Sequence, residues 1–143
     1  MEPKQILRPG LLPGLLGYRL RLAQQAVFRD FGETVSDLPP GRVGILLILD
    51  ANPGVTQTRL AQAVGLDRST LVGVLDRLEA RGLVERHRGE DRRTNGLLLT
   101  RAGRALVGDV KHRIRAHERR VAARLTADER TQLLTLLAKV AGK

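Results

Sequence analysis

The chain has 143 residues, of which 42% are hydrophobic and only 2% aromatic, and it contains no cysteine. This length suits one domain with a buried core, and the lack of cysteine excludes disulfide bonds, thiolate zinc sites and thiol-based redox sensing. With 25 lysine and arginine residues against 15 aspartate and glutamate residues, the net charge is +10. That charge favours a polyanionic partner, although arginine-rich chains are also typical of GC-rich genomes.

The few aromatic side chains argue against a reader of single-stranded nucleic acid, which needs flat groups to stack on bases. The longest uncharged runs, Pro9–Tyr18 and Val43–Leu49, are too short to span a bilayer. The first residues do not have the sequence of a secretory signal. We therefore expect a cytoplasmic protein with no membrane partner.

The N-terminal third is predicted to be helical. Residues 1–10 are expected to form a short arm, and residues 11–31 a helix with an apolar stripe. A break at Pro39-Pro40-Gly41 starts a second helix, and its run Val43–Leu49 is apolar nearly all round and should be buried. We assign residues 11–38 to dimerisation and a ligand pocket. The stripe consists of Leu16, Leu20, Ala23 and Val27.

The middle of the chain has the pattern of a helix-turn-helix. Thr56 is placed to cap a short helix that Gly65 ends, and Asp67 caps the next helix at once. That second helix buries Leu71, Leu75 and Leu78 at helical spacing. Its other face presents Ser69, Val72, Gly73 and Asp76.

A hairpin and two further helices complete the chain. Leu83–Arg88 and Leu97–Leu99 are predicted strands around a polar tip, the wing of a winged helix. A long helix follows from the Thr100 cap to about Leu125, and Thr126 with Glu129 forms a capping box for the last helix. We therefore predict a mainly α protein: a winged helix-turn-helix over 39–100 and C-terminal dimerisation helices over 101–143. The leucine-rich last helix leaves little polar surface, so the terminal helices should pair in a homodimer.

A family resemblance runs from the first short helix, through the wing, into the long helix. In this pattern, which covers about residues 11–141, the chain resembles the MarR family of bacterial transcriptional regulators. The most specific part is the Asp-x-Arg of the wing followed by Leu-Thr-x-x-Gly. The resemblance implies a homodimer that binds palindromic double-stranded operator DNA and is often released by a small ligand. The residues that carry it are Thr58–Ala61, Val64–Leu66, Ser69–Leu71, Leu75–Glu79, Arg81–Arg86, Asp91–Arg93 and Leu99–Gly103.

A narrower likeness concerns the ligand. Leu16–Arg21 and Asp50–Gly54 are similar to family members that control aromatic-acid catabolism. Some of those proteins sense the free acid and others its coenzyme A thioester. The effector is therefore expected to be a small anion, an aromatic carboxylate or its CoA thioester.

The recognition helix should contact bases with its first turns. Arg68 is suited to a guanine, Ser69 and Thr70 to bases or phosphates, and Val72, with Gly73 beside it, to a thymine methyl. The alternative for Arg68 is a solvated charge. Asp67 is expected to act only as a cap.

The wing should add basic contacts. Arg92 and Arg93 lie at its tip, flanked by Arg86 and Arg88 on the preceding strand, and a narrow minor groove attracts inserted arginine. The family pattern favours Arg93 for insertion and gives Asp91 the task of orienting the wing. Arg77, one turn past the base-reading face, suits a phosphate contact or a pairing with an acidic neighbour.

Residues 101–124 carry eight basic side chains against two acidic ones, a net charge of +6. A solvated face is one interpretation, and a landing site for an anionic ligand is the other. Tyr18 is a candidate partner for an aromatic acid or an interface residue. The candidate ligand residues are Tyr18, Arg19, Arg21, Lys111, Arg113 and Arg115.

Catalysis is not expected, because the sequence has no glycine-rich phosphate loop, nucleophile elbow or cysteine. His87, His112 and His117 do not have the spacing of a metal site, and no cofactor is expected. The predicted function is a sequence-specific regulator, a repressor released by its ligand. The alternatives are an architectural protein that coats DNA without sequence preference and a winged-helix protein-interaction module, which the basic wing disfavours.

Overall fold

The computed structural model describes residues 7–88 and 96–143. Within them the mainly helical fold with one antiparallel hairpin is confirmed. After a short 3-10 turn at Leu12–Gly14, the elements are α1 (Leu16–Thr34), α2 (Pro40–Ala51), α3 (Gln57–Val64), α4 (Arg68–Ala80), β1 (Val84–His87), β2 (Gly96–Leu99), α5 (Arg101–Val121) and α6 (Ala127–Val140).

The first helix begins later than predicted. Pro13 and Gly14 belong to the 3-10 turn, and Leu15 is extended, with φ −92° and ψ 129°. The chain therefore enters helical geometry at Leu16 rather than at residue 11, and the helix continues past residue 31 to Thr34. The predicted position was wrong by a few residues because Pro13 fits the first turn of either kind of helix.

The second helix forms the centre of the core. Pro40 is its first residue. An N–H at that position would have no partner within the helix, so a proline there costs no hydrogen bond. Its buried residues pack with leucines of α3 and α4 and with valines of α5. The predicted burial of this run is confirmed for Val43, Ile45, Leu46 and Leu49.

The helix-turn-helix is confirmed together with its capping residues. The Thr56 hydroxyl accepts a hydrogen bond from the Arg59 N–H at 3.3 Å. Gly65 ends α3 with φ +69°, a left-handed conformation that a glycine adopts without strain. Asp67 caps α4, whose buried residues are Leu71, Leu75 and Leu78.

The hairpin is fixed to the start of the helix-turn-helix. Val84 lies opposite Leu99 and His87 opposite Gly96. The backbones of Val55 and Leu97 form an additional antiparallel bridge, with a 2.9 Å bond from the Leu97 N–H to the Val55 carbonyl. The wing tip at 89–95, with the predicted residues Asp91, Arg92 and Arg93, lies outside the described residues.

The long helix ends at Val121, earlier than the predicted Leu125. The backbone there changes to tighter bonds, such as that from the Leu125 N–H to the Ala122 carbonyl at 2.9 Å. The predicted capping box of α6 is confirmed, with Thr126 and Glu129 satisfying each other's backbone N–H groups.

The terminal helices are apolar but largely uncovered in the protomer. No residue of α6 is buried, and in α1 only Phe31 is. In the described part of the chain no helix is both long and apolar enough to cross a membrane. The large exposed apolar side chains of α1 and α6 include Leu16, Leu20, Leu22, Phe28, Leu133, Leu134, Leu136, Leu137 and Val140.

Candidate nucleic-acid interface

The first turn of α4 is organised around the Asp67 carboxylate. One oxygen accepts from the Thr70 N–H at 2.8 Å and from the Ser69 hydroxyl at 2.7 Å. The other accepts from the Thr70 hydroxyl at 2.8 Å. The backbone N–H of Thr70 and then the two hydroxyls lower the pKa of Asp67 to about 2, because each bond favours the charged form. Asp67 is therefore an ionised cap, as predicted.

The remaining residues of the predicted reading face are accessible. Arg68, Ser69 and Thr70 are exposed, while Val72 and Gly73 one turn later are half-buried. The leucines of α4 point the opposite way, into the core. The helix is thus held by one face and leaves its first turns open to a partner, which is the arrangement that reading of a major groove requires.

Arg86, a predicted DNA contact, is engaged with the recognition helix. Its two terminal nitrogens lie 2.8 Å from an oxygen of Asp76 and 2.5 Å from one of Glu79. The Arg86 side chain is only 25% exposed, and its buried Nε has no hydrogen-bond partner among residues 7–88 and 96–143. The acidic pairing that the sequence left open for Arg77 is made by Arg86 instead. We call Arg86, Asp76 and Glu79 the Arg86 cluster; it ties β1 to α4.

Two other predicted contacts remain open to solvent. Arg77 is exposed on α4 and Arg88 is exposed just after β1. Neither forms an ion pair with any residue in 7–88 or 96–143. Both guanidinium groups are therefore unpaired within the described part of the chain.

Three of the basic side chains predicted for α5 are occupied by structural ion pairs. Lys111 pairs with Asp50 at the end of α2. Arg113 lies 2.7 Å from Asp109 and 3.6 Å from Asp37, and donates to the Thr34 carbonyl at 3.2 Å. Arg120 pairs with Asp30. The remaining five are all exposed: Arg101, Arg104, Arg115, Arg119 and Arg124.

The six predicted ligand residues do not come together in one protomer. On α1, the Arg21 guanidinium lies 5.5 Å from the Tyr18 ring centre, and Arg19 donates to the Pro13 carbonyl at 2.7 Å. The contacts of Asp30 with Arg120 and of Thr34 with Arg113 show that α1 and α5 run antiparallel. Helix rise then separates Tyr18 from Lys111 by on the order of 25 Å.

A shallow cavity of about 480 Å³ lies where α5 turns into α6. Among the six predicted ligand residues it contains only Arg115. Its polar lining also includes the exposed Arg119 and the Glu118–Arg130 ion pair. The cavity is lined by Ile114, Arg115, Glu118, Arg119, Ala122 and Arg130.

One polar cluster between α1 and α5 was missed by sequence reasoning. His117 is buried, its Nδ1 lies 2.7 Å from Asp30, and its ring meets that of Phe31 edge-on at 5.3 Å. Arg120 donates to both Asp30 oxygens at 2.9 Å and to the Thr34 hydroxyl at 2.5 Å. The Arg120 and His117 bonds hold the pKa of the Asp30 carboxyl well below its usual range. The one sequence feature that could have indicated this cluster was the position of His117 on the apolar side of the predicted long helix.

The chain is similar to solved transcriptional regulators over nearly its whole length. Residues 36–94 match the sequence profile of the MarR family. The repressor CouR bound to a 23-mer DNA duplex is 43% identical, the match covering 96% of this chain and 99% of that chain, with a TM-score of 0.90. CouR bound to p-coumaroyl-CoA is 42% identical over 95% and 98%, with a TM-score of 0.87. PcaV from Streptomyces coelicolor, in complex with its natural ligand, is 32% identical over 96% and 98%, with a TM-score of 0.85.

Proposed function

The chain belongs to the MarR family of transcriptional regulators, and on that premise we propose that it is a sequence-specific repressor that binds a palindromic operator as a homodimer. The observation that carries the proposal is the exposed first turn of α4 beside the hairpin, in a fold that matches DNA-bound CouR. A chromosomal target would place the protein in the cytoplasm. In this function the chain performs no catalytic step.

The DNA-contacting residues fall into three groups. Arg68, Ser69, Thr70, Val72 and Gly73 face the base edges from α4. Exposed arginines beside them contact phosphates or the minor groove. Arg86 holds the wing strand against α4 through its ion pairs rather than reaching DNA itself, and Asp91 orients the wing. The exposed arginines are Arg77, Arg88, Arg92 and Arg93, of which the last two rest on the sequence alone.

The homodimer follows from the uncovered apolar faces. The leucines of α6 and of the first half of α1 are largely left uncovered by the described residues of the protomer. Contiguous apolar surface of this kind is typical of a protein interface. A twofold dimer of recognition helices in turn requires a palindromic operator.

For the effector we propose the CoA thioester of an aromatic acid. The five exposed arginines between 101 and 124 exceed what a single carboxylate needs, whereas a CoA thioester carries several phosphate charges. CouR, at 42% identity, is known bound to p-coumaroyl-CoA. The runner-up is the free aromatic acid, for which Tyr18, Arg19 and Arg21 remain candidate contacts on α1.

Release would be a population shift. A thioester that binds the DNA-free conformation more tightly draws the dimer away from the operator, by no more than the ratio of its two affinities. The coupling is reciprocal, so operator DNA must weaken thioester binding by the same factor. This reciprocity separates an effector from a compound that binds both forms equally.

The test begins with selection of an operator from a pool of randomised duplexes. Fluorescence anisotropy of the selected duplex is then followed as p-coumaroyl-CoA, p-coumarate or CoA alone is added. We expect release by the thioester, with thioester affinity falling steeply between low and physiological salt while any affinity for the free acid falls mildly. Release by p-coumarate alone supports the runner-up, and no response to any of the three contradicts the effector proposal.

The same selection tests the alternative of an architectural protein. A protein of that kind enriches no sequence, and its affinity depends on salt but not on the base pairs. Enrichment of a palindrome supports the repressor. Enrichment of no sequence contradicts it.

A further inference from the structure

Both hydroxyl groups of the α4 first turn have their protons committed. Ser69 and Thr70 each place an oxygen within 2.8 Å of the Asp67 carboxylate. An ionised carboxylate can only accept hydrogen bonds, so in both contacts the hydroxyl must be the donor. The Thr70 backbone N–H is directed at the same carboxylate.

What these side chains still offer to a partner is acceptor capacity. A serine or threonine hydroxyl has one proton and two lone pairs. Here the proton is in use, and no described residue donates a hydrogen bond to the lone pairs. Both side chains are exposed in the turn of a recognition helix that approaches the base edges.

The major groove distinguishes donors from acceptors at each base. Adenine and cytosine present amino groups, N6 and N4, where guanine and thymine present the carbonyl oxygens O6 and O4. Phosphate oxygens are acceptors only. On the proposed function of operator binding, we propose that Ser69 and Thr70 are specificity-determining acceptors that select adenine or cytosine on the strand they face, and that Asp67 sets this polarity.

The opposite polarity is disfavoured by the strength of the bonds it would break. A hydrogen bond to a charged group is roughly twice as strong as one between neutral groups. Turning either proton to guanine O6 or thymine O4 would exchange a bond to a charged acceptor for a weaker bond to a neutral one. It would also take from the ionised Asp67 carboxylate a hydroxyl proton that lessens its repulsion from the negatively charged DNA. The wild-type turn should therefore discriminate against guanine and thymine by about threefold to tenfold per hydroxyl.

Three variants test the polarity. Thr70→Val removes the hydroxyl at nearly constant shape and identifies the operator position that Thr70 reads. Thr70→Ser keeps the hydroxyl and is the matched control. Asp67→Asn keeps an oxygen for the Thr70 N–H, since asparagine caps helices as well as aspartate does. Its amide replaces the oxygen that accepts from Thr70, which frees the Thr70 proton for a base.

The experiment is selection from randomised duplexes followed by sequencing, run with the parent and each variant after thermal melts confirm that they fold. The parent and Thr70→Ser should enrich adenine or cytosine at the Thr70 position. Thr70→Val should lose that preference, and Asp67→Asn should shift it towards guanine or thymine. If Asp67→Asn does not fold, the base identity at the Thr70 position in the parent decides the question.

Two results would overturn the inference while leaving the repressor intact. One is a parent motif with guanine or thymine at the Thr70 position. The other is a motif that Thr70→Val leaves unchanged. A parent that enriches no motif at all contradicts the proposed function and this inference with it.

Discussion

The imidazole of His117 lies against the Asp30 carboxylate, with Nδ1 and Oδ1 2.7 Å apart, in a contact that spans 87 positions of the chain. Arg120 donates hydrogen bonds to the same carboxylate from the solvent side through Nε and Nη2. Since only Phe31 of α1 is buried, this polar cluster supplies much of the attachment of α1 to α5. It therefore connects a helix with an exposed apolar face to the one that follows the wing.

Asp30→Asn should destabilise the protein in a pH-dependent way. Arg120 and His117 lower the folded-state pKa of Asp30 below its ordinary value of 3.8. The stabilisation is therefore fully present above about pH 5 and is lost as the pH falls through the folded-state value. Urea unfolding should show a difference in the free energy of unfolding between parent and variant at pH 5 that narrows below about pH 4.

The control for this prediction is Asp109→Asn, which removes the exposed partner of Arg113. An exposed pair four residues apart contributes about 0.3–0.5 kcal/mol, so this variant should lose less stability at neutral pH than Asp30→Asn. Equal losses would contradict the anchoring role of Asp30.

The Arg86 cluster predicts that removing a negative charge weakens DNA binding. Arg86→Met removes the tie between β1 and α4, and Asp76→Asn removes one of its two ion pairs. Operator affinity should fall by about 1 kcal/mol for Arg86→Met and by less for Asp76→Asn, and the two effects should be non-additive when combined. If Arg86 instead contacted DNA, Asp76→Asn would free it and remove a repulsive charge. Operator binding by Asp76→Asn as tight as that of the parent, in anisotropy titrations, would contradict the positioning role.

Direct DNA contacts should respond differently. Arg68→Ala and Arg93→Ala should each weaken operator binding by about 1–3 kcal/mol without changing thermal stability. Arg68→Ala should also relax base preference at one operator position. Quantitative footprinting of parent and variants measures both effects, and parent-like binding by both variants would show that the helix and wing assignments are wrong.

The dimer prediction is tested on α6. Light scattering should give a molar mass of about twice 15.7 kDa for the parent. Leu137→Glu places a charge in the exposed apolar face and should yield monomers that lose operator affinity, whereas Gln132→Glu adds the same charge on the same helix at a polar position. A parent that is monomeric at micromolar concentration and still binds its operator tightly would contradict the dimer.

Local sequence signals predicted most of the fold. The helix ends are fixed by capping residues that act on backbone groups only a few positions away, so each cap could be predicted from the sequence alone. These residues are Thr56, Gly65, Asp67 and Thr126. The contacts of Arg86 and His117 span 7 to 87 positions, and no local periodicity specifies which acid lies across an interface. For the charge excess of α5 the sequence left both a solvated face and an anion site open, because charge counts carry no information about pairing. In the structure three of those basic side chains form ion pairs with aspartates: Lys111 with Asp50, Arg113 with Asp109 and Arg120 with Asp30.

The glycine of the Leu-Thr-x-x-Gly pattern gives a sharp test of how α5 meets the wing. A Cβ on Gly103 would lie 2.1 Å from the Leu83 carbonyl oxygen, which also accepts the Thr100 N–H at 3.1 Å and cannot move without losing that bond. Gly103→Ala should therefore destabilise the protein by about 1–3 kcal/mol through overpacking. Gly108→Ala, on the same helix with nothing within 4 Å, should stabilise it by about 0.5–1 kcal/mol. Parallel urea unfolding decides the matter, and equal stability of the two variants would mean that α5 does not approach Leu83 this closely.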